Sequence, residues 1–205
     1  MLDTRYQWTL DAQIFHAIND LHGTWYDWVM LLGTQLGSRV NFPVYLLLLG
    51  GFFWLSSRKN RSGEQGVTYI EQKFLMVIAV FVIAFMVDML VIEVLKLWLH
   101  RPRPFMVFPL ETMRMFGPQL AEREFYHSFP SGHASFAGVI VASLWPILSR
   151  SARLVGCVFV LWVGWSRIAL GVHFPADVVV GVLISVILTA IIRHAVKHYR
   201  HPAVV

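Results

Sequence analysis

Lys96 and Arg103 stand seven positions apart, and Pro102 and Pro104 flank the arginine. Seven residues approach two turns of α-helix. A proline disfavours helix at the residue before it, so a helix carrying Lys96 should end at Arg101 and hand Arg103 to a turn. The two cations then either converge on an anion or snorkel separately to an aqueous interface, as flanking cations do. Pro130-Ser131-Gly132-His133 directly precedes an apolar run. A helix starting there presents unpaired N–H groups and the positive end of its dipole; Gly132 lets the backbone approach a ligand, and Ser131 adds a hydroxyl. Together they make an anion site with His133 beside it, although a serine cap followed by an interfacial histidine uses the same four residues. The third group is Ser166-Arg167, followed by His173 and Asp177. Pro175 suits the first turn of a helix that also carries Asp177. A carboxylate so close to His173 can take the proton of one ring nitrogen and leave the other as a nucleophile. Alone, this group also fits a polar hairpin between helices, but three such groups at the ends of apolar runs are harder to explain as separate accidents.

The elements that must hold these groups are apolar. The chain has 205 residues, 57% of them hydrophobic and 14% charged, with a mean hydropathy of +0.59, whereas about a quarter of an ordinary soluble domain is charged. A disordered chain would be poorer in hydrophobic residues, and a disulfide scaffold needs many cysteines where this chain has Cys157 alone. A bilayer span needs about 20 apolar residues. Residues 74–98, 133–148, 154–170 and 176–192 approach or meet that length, and 42–55 is a short fifth run that 28–36 would lengthen. The expected fold is an all-α integral membrane protein, a bundle of about five transmembrane helices, or six if the first 40 residues hide another, in one membrane-embedded domain covering 1–205. Leu10, Ile14, Phe15, Ile18 and Leu21 recur at helical spacing, with Asp11, Asn19 and Asp20 off the stripe. That pattern predicts an N-terminal helix lying along the interface rather than a signal peptide.

The formal charge of +5 comes from basic residues scattered between apolar runs, not gathered on one face as nucleic acid binding would require. Arg58, Lys59, Arg61, Lys73, Arg150, Arg153, Arg193, Lys197 and Arg200 fall on one side of the expected spans, which makes that side cytoplasmic. Of the other eight Lys and Arg, Lys96, Arg103 and Arg167 belong to the polar groups, leaving five to count for the opposite side. With an odd number of spans, the N-terminus and the loop 101–129 then face outwards. That loop mixes Met106, Phe108, Leu110, Met113, Met115 and Phe116 with Glu111, Arg114, Glu122, Arg123 and Glu124. It either lies on the membrane as a lid over a lipid or packs on its own helices. Glu93 precedes Lys96 by three residues, the spacing of an ion pair on one helix. Asp88 should find a hydrogen bond within the protein, because unpaired charge in a bilayer is costly, and Cys157 is expected to serve packing.

Taken in order, Lys96 with Arg103-Pro104, Pro130-Ser131-Gly132-His133, and Ser166-Arg167 with His173 and Asp177 resemble the three signature motifs of the type 2 phosphatidic acid phosphatase family. That family shares its site with vanadium-dependent haloperoxidases. The resemblance implies that His173 takes the phosphoryl group, that Asp177 orients it and that His133 protonates the leaving oxygen. It implies too that Lys96, Arg103, Arg167, Ser131 and the Gly132 N–H bind the phosphoryl oxygens. Phosphoryl transfer consists mostly of positioning and fixed positive charge, and the sequence has no carboxylate cluster suited to Mg²⁺, so no metal or other cofactor is expected.

The resulting expectation is a membrane phosphatase that hydrolyses a lipid phosphate or diphosphate through a phosphohistidine intermediate. It would work at the outer face of a bacterial cytoplasmic membrane, with the lipid phosphate and the bilayer as its partners, no nucleic acid and no obligate protein partner. The compact chain with an interfacial N-terminal helix resembles bacterial undecaprenyl diphosphate phosphatases. That places undecaprenyl diphosphate ahead of phosphatidylglycerophosphate, phosphatidate and the 1-phosphate of lipid A as substrate. A non-catalytic anion transporter is the competing class, but it would carry charged groups deep within several spans, whereas most polar residues of interest here lie at span ends.

Overall fold

A computed structural model describes residues 9–59, 64–114 and 126–200, and every regular element among them is helical. Helices α1 (Leu10–Asn19) and α2 (Thr24–Leu36) precede a 3-10 turn at Arg39–Asn41. There follow α3 (Phe42–Lys59), α4 (Glu64–Leu99), the one-turn α5 (Pro104–Val107), α6 (Gly132–Leu144), α7 (Arg150–Ala169) and α8 (Pro175–Arg200). The bundle read from the sequence is thus α3, α4, α6, α7 and α8. Four of these five, α3, α4, α7 and α8, are long and apolar enough to cross a membrane.

Helix α6 is the exception, and it is also the axis of the bundle. Expected over 133–148, it ends at Leu144 after 13 residues, which is about 20 Å of helix. Pro146 explains the early stop: it has no N–H to give the Ala142 carbonyl, and Arg193 Nη2 of α8 donates to that oxygen instead. Ala134 to Val141 are buried without a break, because α4, α7 and α8 pack around α6. Its N-terminus is therefore a helix end enclosed by protein.

Helix α2 does not extend α3, as the apolar run 28–36 suggested, but is separated from it by 37–41 and packs on α7. There Trp162 Nε1 donates to the Val29 carbonyl at 3.1 Å. At 10 and 13 residues, neither α1 nor α2 reaches the length of a span. Helix α1 is capped by Thr9, whose hydroxyl accepts from Ala12 N at 3.2 Å, and it docks by Ala12, Phe15 and Ile18. Phe15 stacks on Phe108 at 5.5 Å and tilts against Phe174 at 5.7 Å, while Leu10, Ile14 and Leu21 face outwards. The stripe read as one lipid-facing surface is therefore divided between the protein and the exterior.

The loop after α4 packs on its own helices over its described part. Val107, Phe108 and Met113 join the core around Phe15, Ile168 and Phe174; Met115, Phe116, Glu122, Arg123 and Glu124 lie outside the described residues, as does Arg61. Cys157, expected to pack, is on an exposed face of α7.

Candidate active site

The three polar groups meet at one end of the bundle, where α4 and α7 finish and α6 and α8 begin. Lys96 sits in the last turn of α4. The helix stops at Leu99, two residues before the expected break, because His100 takes a left-handed conformation with φ 46°. The chain then runs to Arg103, the extended cap of α5. Arg103 is 4% exposed, and its Nη1 reaches the Val172 carbonyl at 3.4 Å, next to His173. Lys96 Nζ lies 3.3 Å from Glu93 Oε1, the ion pair expected from their spacing, and Ser135 Oγ donates to Asp88 Oδ1 at 2.5 Å.

Ser131 precedes α6 in extended conformation, and its side chain makes no capping bond. Its amide donates to the Asp177 carbonyl at 2.9 Å, which ties the start of α6 to the first turn of α8. The hydroxyl is fully buried and has no hydrogen-bond partner among the described residues. A serine cap at an interface therefore does not describe this residue; a buried hydroxyl beside free helix N–H groups is set for an anion.

Helix α7 closes with Arg167 in its last turn, 1% exposed and donating to Thr34 Oγ1 of α2 at 2.7 Å. Gly171, at φ 77°, turns the chain as glycine readily does. The Arg167 carbonyl then accepts from the amides of Val172 and His173. His173 is 2% exposed and its Nδ1 stands 3.5 Å from Asp177 Oδ2, longer than a well-formed hydrogen bond. Asp177 is already held by three donors. Arg101 Nη1 lies 2.6 Å from Oδ1, while Ser128 Oγ at 2.5 Å and the Phe174 amide at 2.9 Å bind Oδ2. His133, one residue into α6, is within electrostatic reach of Arg167, His173, Arg39 and Lys96. All eight residues singled out from the sequence, Lys96, Arg103, Ser131, Gly132, His133, Arg167, His173 and Asp177, therefore share this end of the bundle.

Other polar residues gather around those eight. Arg101 bridges Asp177 to Asp11 of α1, with its Nη2 2.6 Å from Asp11 Oδ2, and lies over the Phe174 ring at 4.6 Å. Asp11 Oδ1 also accepts from the Ala176 amide at 2.8 Å. Asn19, counted with the polar flank of α1, is fully buried. It donates to the carbonyls of Arg114 and Ala169 at 2.8 and 2.9 Å and accepts from Arg114 N at 2.7 Å. Arg39 Nη1 donates to Glu93 Oε1 at 2.7 Å. Of these, Arg101 carried a signal in its place between Lys96 and Arg103; Asp11, Asn19 and Arg39 lie too far away in sequence to announce the contact. A cleft of about 470 Å³ lined by Leu99, His100, Arg101, Pro102 and Phe129 opens beside Arg101. Among the described residues, no cluster of His, Cys, Asp and Glu is arranged to hold a metal ion.

The arrangement can hold a tetrahedral anion against fixed cations and helix N–H groups, with one imidazole oriented by a carboxylate and a second beside the anion. Comparison with known proteins agrees in kind. The model of a family described as the PAP2 superfamily matches residues 46–200. Phosphatidylglycerophosphatase B of Bacillus subtilis is 29% identical over 205 residues, covering 93% of this chain and 86% of that protein. Undecaprenyl-diphosphatase BcrC of the same organism is 28% identical over 186 residues, covering 87% and 80%. Among solved structures, Aquifex aeolicus LpxE superposes with a TM-score of 0.69 at 24% identity, covering 94% of this chain and 98% of that one.

Proposed function

The chain belongs to the PAP2 superfamily, and from that premise we propose that this integral membrane lipid phosphatase works through a phosphohistidine on His173, with undecaprenyl diphosphate as its favoured substrate. The observation that carries the mechanism is the placement of His173, buried, with Nδ1 facing Asp177 and the ring beside the cations and the start of α6. With Nδ1 turned to the carboxylate, Nε2 is the attacking atom. It forms a P–N bond as the bond to the leaving oxygen breaks, and His133 gives that oxygen a proton. Phosphorylation makes the His173 ring cationic, which draws it towards Asp177 and shortens the 3.5 Å contact. Water then attacks phosphorus, loses its proton to His133 and releases inorganic phosphate, restoring both histidines. Lys96, Arg103, Arg167, Ser131 Oγ and the Gly132 N–H stabilise the charge on the equatorial oxygens throughout.

Likeness to BcrC over most of both chains supports the diphosphate; the likeness to phosphatidylglycerophosphatase B supports phosphatidylglycerophosphate as the second reading. Phosphate release by purified protein across undecaprenyl diphosphate, phosphatidylglycerophosphate, phosphatidate and lipid A decides between them. Turnover fastest on the diphosphate, retained in EDTA and inhibited by vanadate, is expected; release from phosphatidylglycerophosphate alone contradicts the favoured substrate. The reaction is assigned to the outer face of a bacterial cytoplasmic membrane. A reporter after His201 should then behave as cytoplasmic and a tag near Gln119 as external, both positions lying outside the described residues, and the same compartment for both contradicts the orientation.

A further inference from the structure

Arg39 belongs to none of the three motifs and lies outside the residues the family model matches, yet it is packed against the start of α6. It occupies the 3-10 turn between α2 and α3, and its side chain is 19% exposed. The guanidinium lies where a side chain at position 132 would be: a Cβ built on Gly132 would stand 2.9 Å from Arg39 Cζ and Nη2 and 3.2 Å from Nε. Gly132 therefore has two reasons to be glycine, the approach of an anion and the presence of this cation.

Among the described residues, only one end of the guanidinium is anchored by a hydrogen bond. Nη1 donates to Glu93 Oε1 at 2.7 Å, and Nη2 stands 3.9 Å from Asp88 Oδ2, in ion-pair range only. Nε and Nη2 are buried and have no hydrogen-bond partner among the described residues, and the nearby Ser131 Oγ is in the same condition. Buried polar groups are ordinarily satisfied, and those left unmet call for an explanation. Here the unmet donors of a cation and an unmet hydroxyl adjoin the free N–H groups of one helix end, on which Lys96 and Arg167 also bear. Glu93 holds Lys96 as well as Arg39, so one carboxylate fixes the motif's lysine and the cation beside Gly132.

We propose that Arg39 is a further phosphate-binding residue of this site: its Nε and Nη2 donate to oxygens of the substrate's phosphate group, and Glu93 holds it in place to do so. A planar guanidinium with two donors available suits phosphate better than a point charge does. The proposal rests on the reading of Ser131, Gly132 and His133 as the phosphate cradle.

The test compares wild type, Arg39→Gln, Arg39→Lys and, from the far end of α3, Arg58→Gln. It uses purified protein in detergent with three readouts: phosphate release, calorimetric binding of orthovanadate, and melting midpoint. Arg39→Gln should lose about 10²- to 10³-fold in kcat/KM and bind vanadate at least tenfold more weakly at an unchanged midpoint; Arg39→Lys should recover only part, and Arg58→Gln should match wild type. If Arg39→Gln melts early, Arg39→Lys, which keeps the charge opposite Glu93, carries the test through the same vanadate titration. Vanadate affinity unchanged in a folded Arg39 variant overturns the proposal and leaves Arg39 a structural partner of Glu93. Wild type that binds vanadate but releases no phosphate from any lipid overturns the phosphatase reading alone, and the titration still decides Arg39. Wild type that does not bind vanadate overturns both.

Discussion

The arginines at the two ends of the bundle differ in where their partners come from. At the site end, Arg39 meets Glu93, 54 residues away; Arg101 meets Asp177 and Asp11, 76 and 90 residues away; Arg114 forks onto Asp27, 87 residues away; and Arg167 meets Thr34, 133 residues away. At the opposite end Arg193 also reaches a distant partner, the Ala142 carbonyl 51 residues away, but Arg58 lies over Trp54 at 4.0 Å and Arg153 over Trp145 at 5.1 Å. These are neighbours in sequence, and the contacts anchor a cation at aromatic rings of the kind that line membrane interfaces. Cations of the first kind tie together elements that are distant in sequence. Those of the second kind sit on the stretch of chain that carries them, as flanking residues do. For these arginines a distant partner goes with architecture or chemistry and a ring close by in sequence with topology, whereas Lys96, paired with Glu93 three residues before it, shows that a local partner does not by itself exclude chemistry.

If that distinction is right, substitutions at the two ends should fall in separate classes. The largest loss is expected from Arg167→Ala, about 10²- to 10³-fold in kcat/KM, with lysine restoring part of it because a point charge does not reproduce a planar fork. Near-normal turnover would remove Arg167 from the site. Arg101→Ala acts through Asp177 and so through the direction of His173. It should cost up to about 10²-fold, the scale of a misplaced reacting group, and should fall on kcat with little change in vanadate affinity. An equal loss in vanadate binding would make Arg101 a ligand instead.

Asn19→Ala sharpens the comparison from the side of stability. It leaves the Ala169 and Arg114 carbonyls without their donor, at about 1–3 kcal/mol for each buried group left unmet, and should lower the melting midpoint while turnover of the folded fraction persists. Smallest of all, Arg58→Ala and Arg153→Ala should leave turnover within about twofold and stability within about 0.5 kcal/mol. A loss of tenfold from either would erase the difference between the two ends.

The sequence made much of this legible because the three motifs are local. Lys96 with Arg103, Ser131 to His133, and Arg167 with Asp177 each sit within about 11 residues at a span end, where proline and glycine mark the turns that aim them. The helices themselves were legible from apolar run length, with errors where one residue overrides composition. Pro146 ends α6 inside an apolar stretch, and 37–41 keep 28–36 from lengthening the run 42–55. What stayed hidden is tertiary. By position alone Arg39, Arg101 and Arg114 fall among the basic residues of the outer side, yet each has a carboxylate partner. Asp11 and Asn19 lie off the apolar stripe of α1, and only the docking of that helix by Phe15 and Ile18 turns them inwards. A helical stripe reports which residues are apolar, but not whether lipid or protein covers them.

The central claim is that His173 carries the phosphoryl group, and mass spectrometry of acid-sparing, rapidly quenched enzyme during turnover tests it most directly. An added phosphoryl group on the peptide bearing His173, labile to acid and absent from His173→Ala, is the predicted result. A phosphoryl group on Ser131, or turnover that persists in His173→Ala, would contradict it.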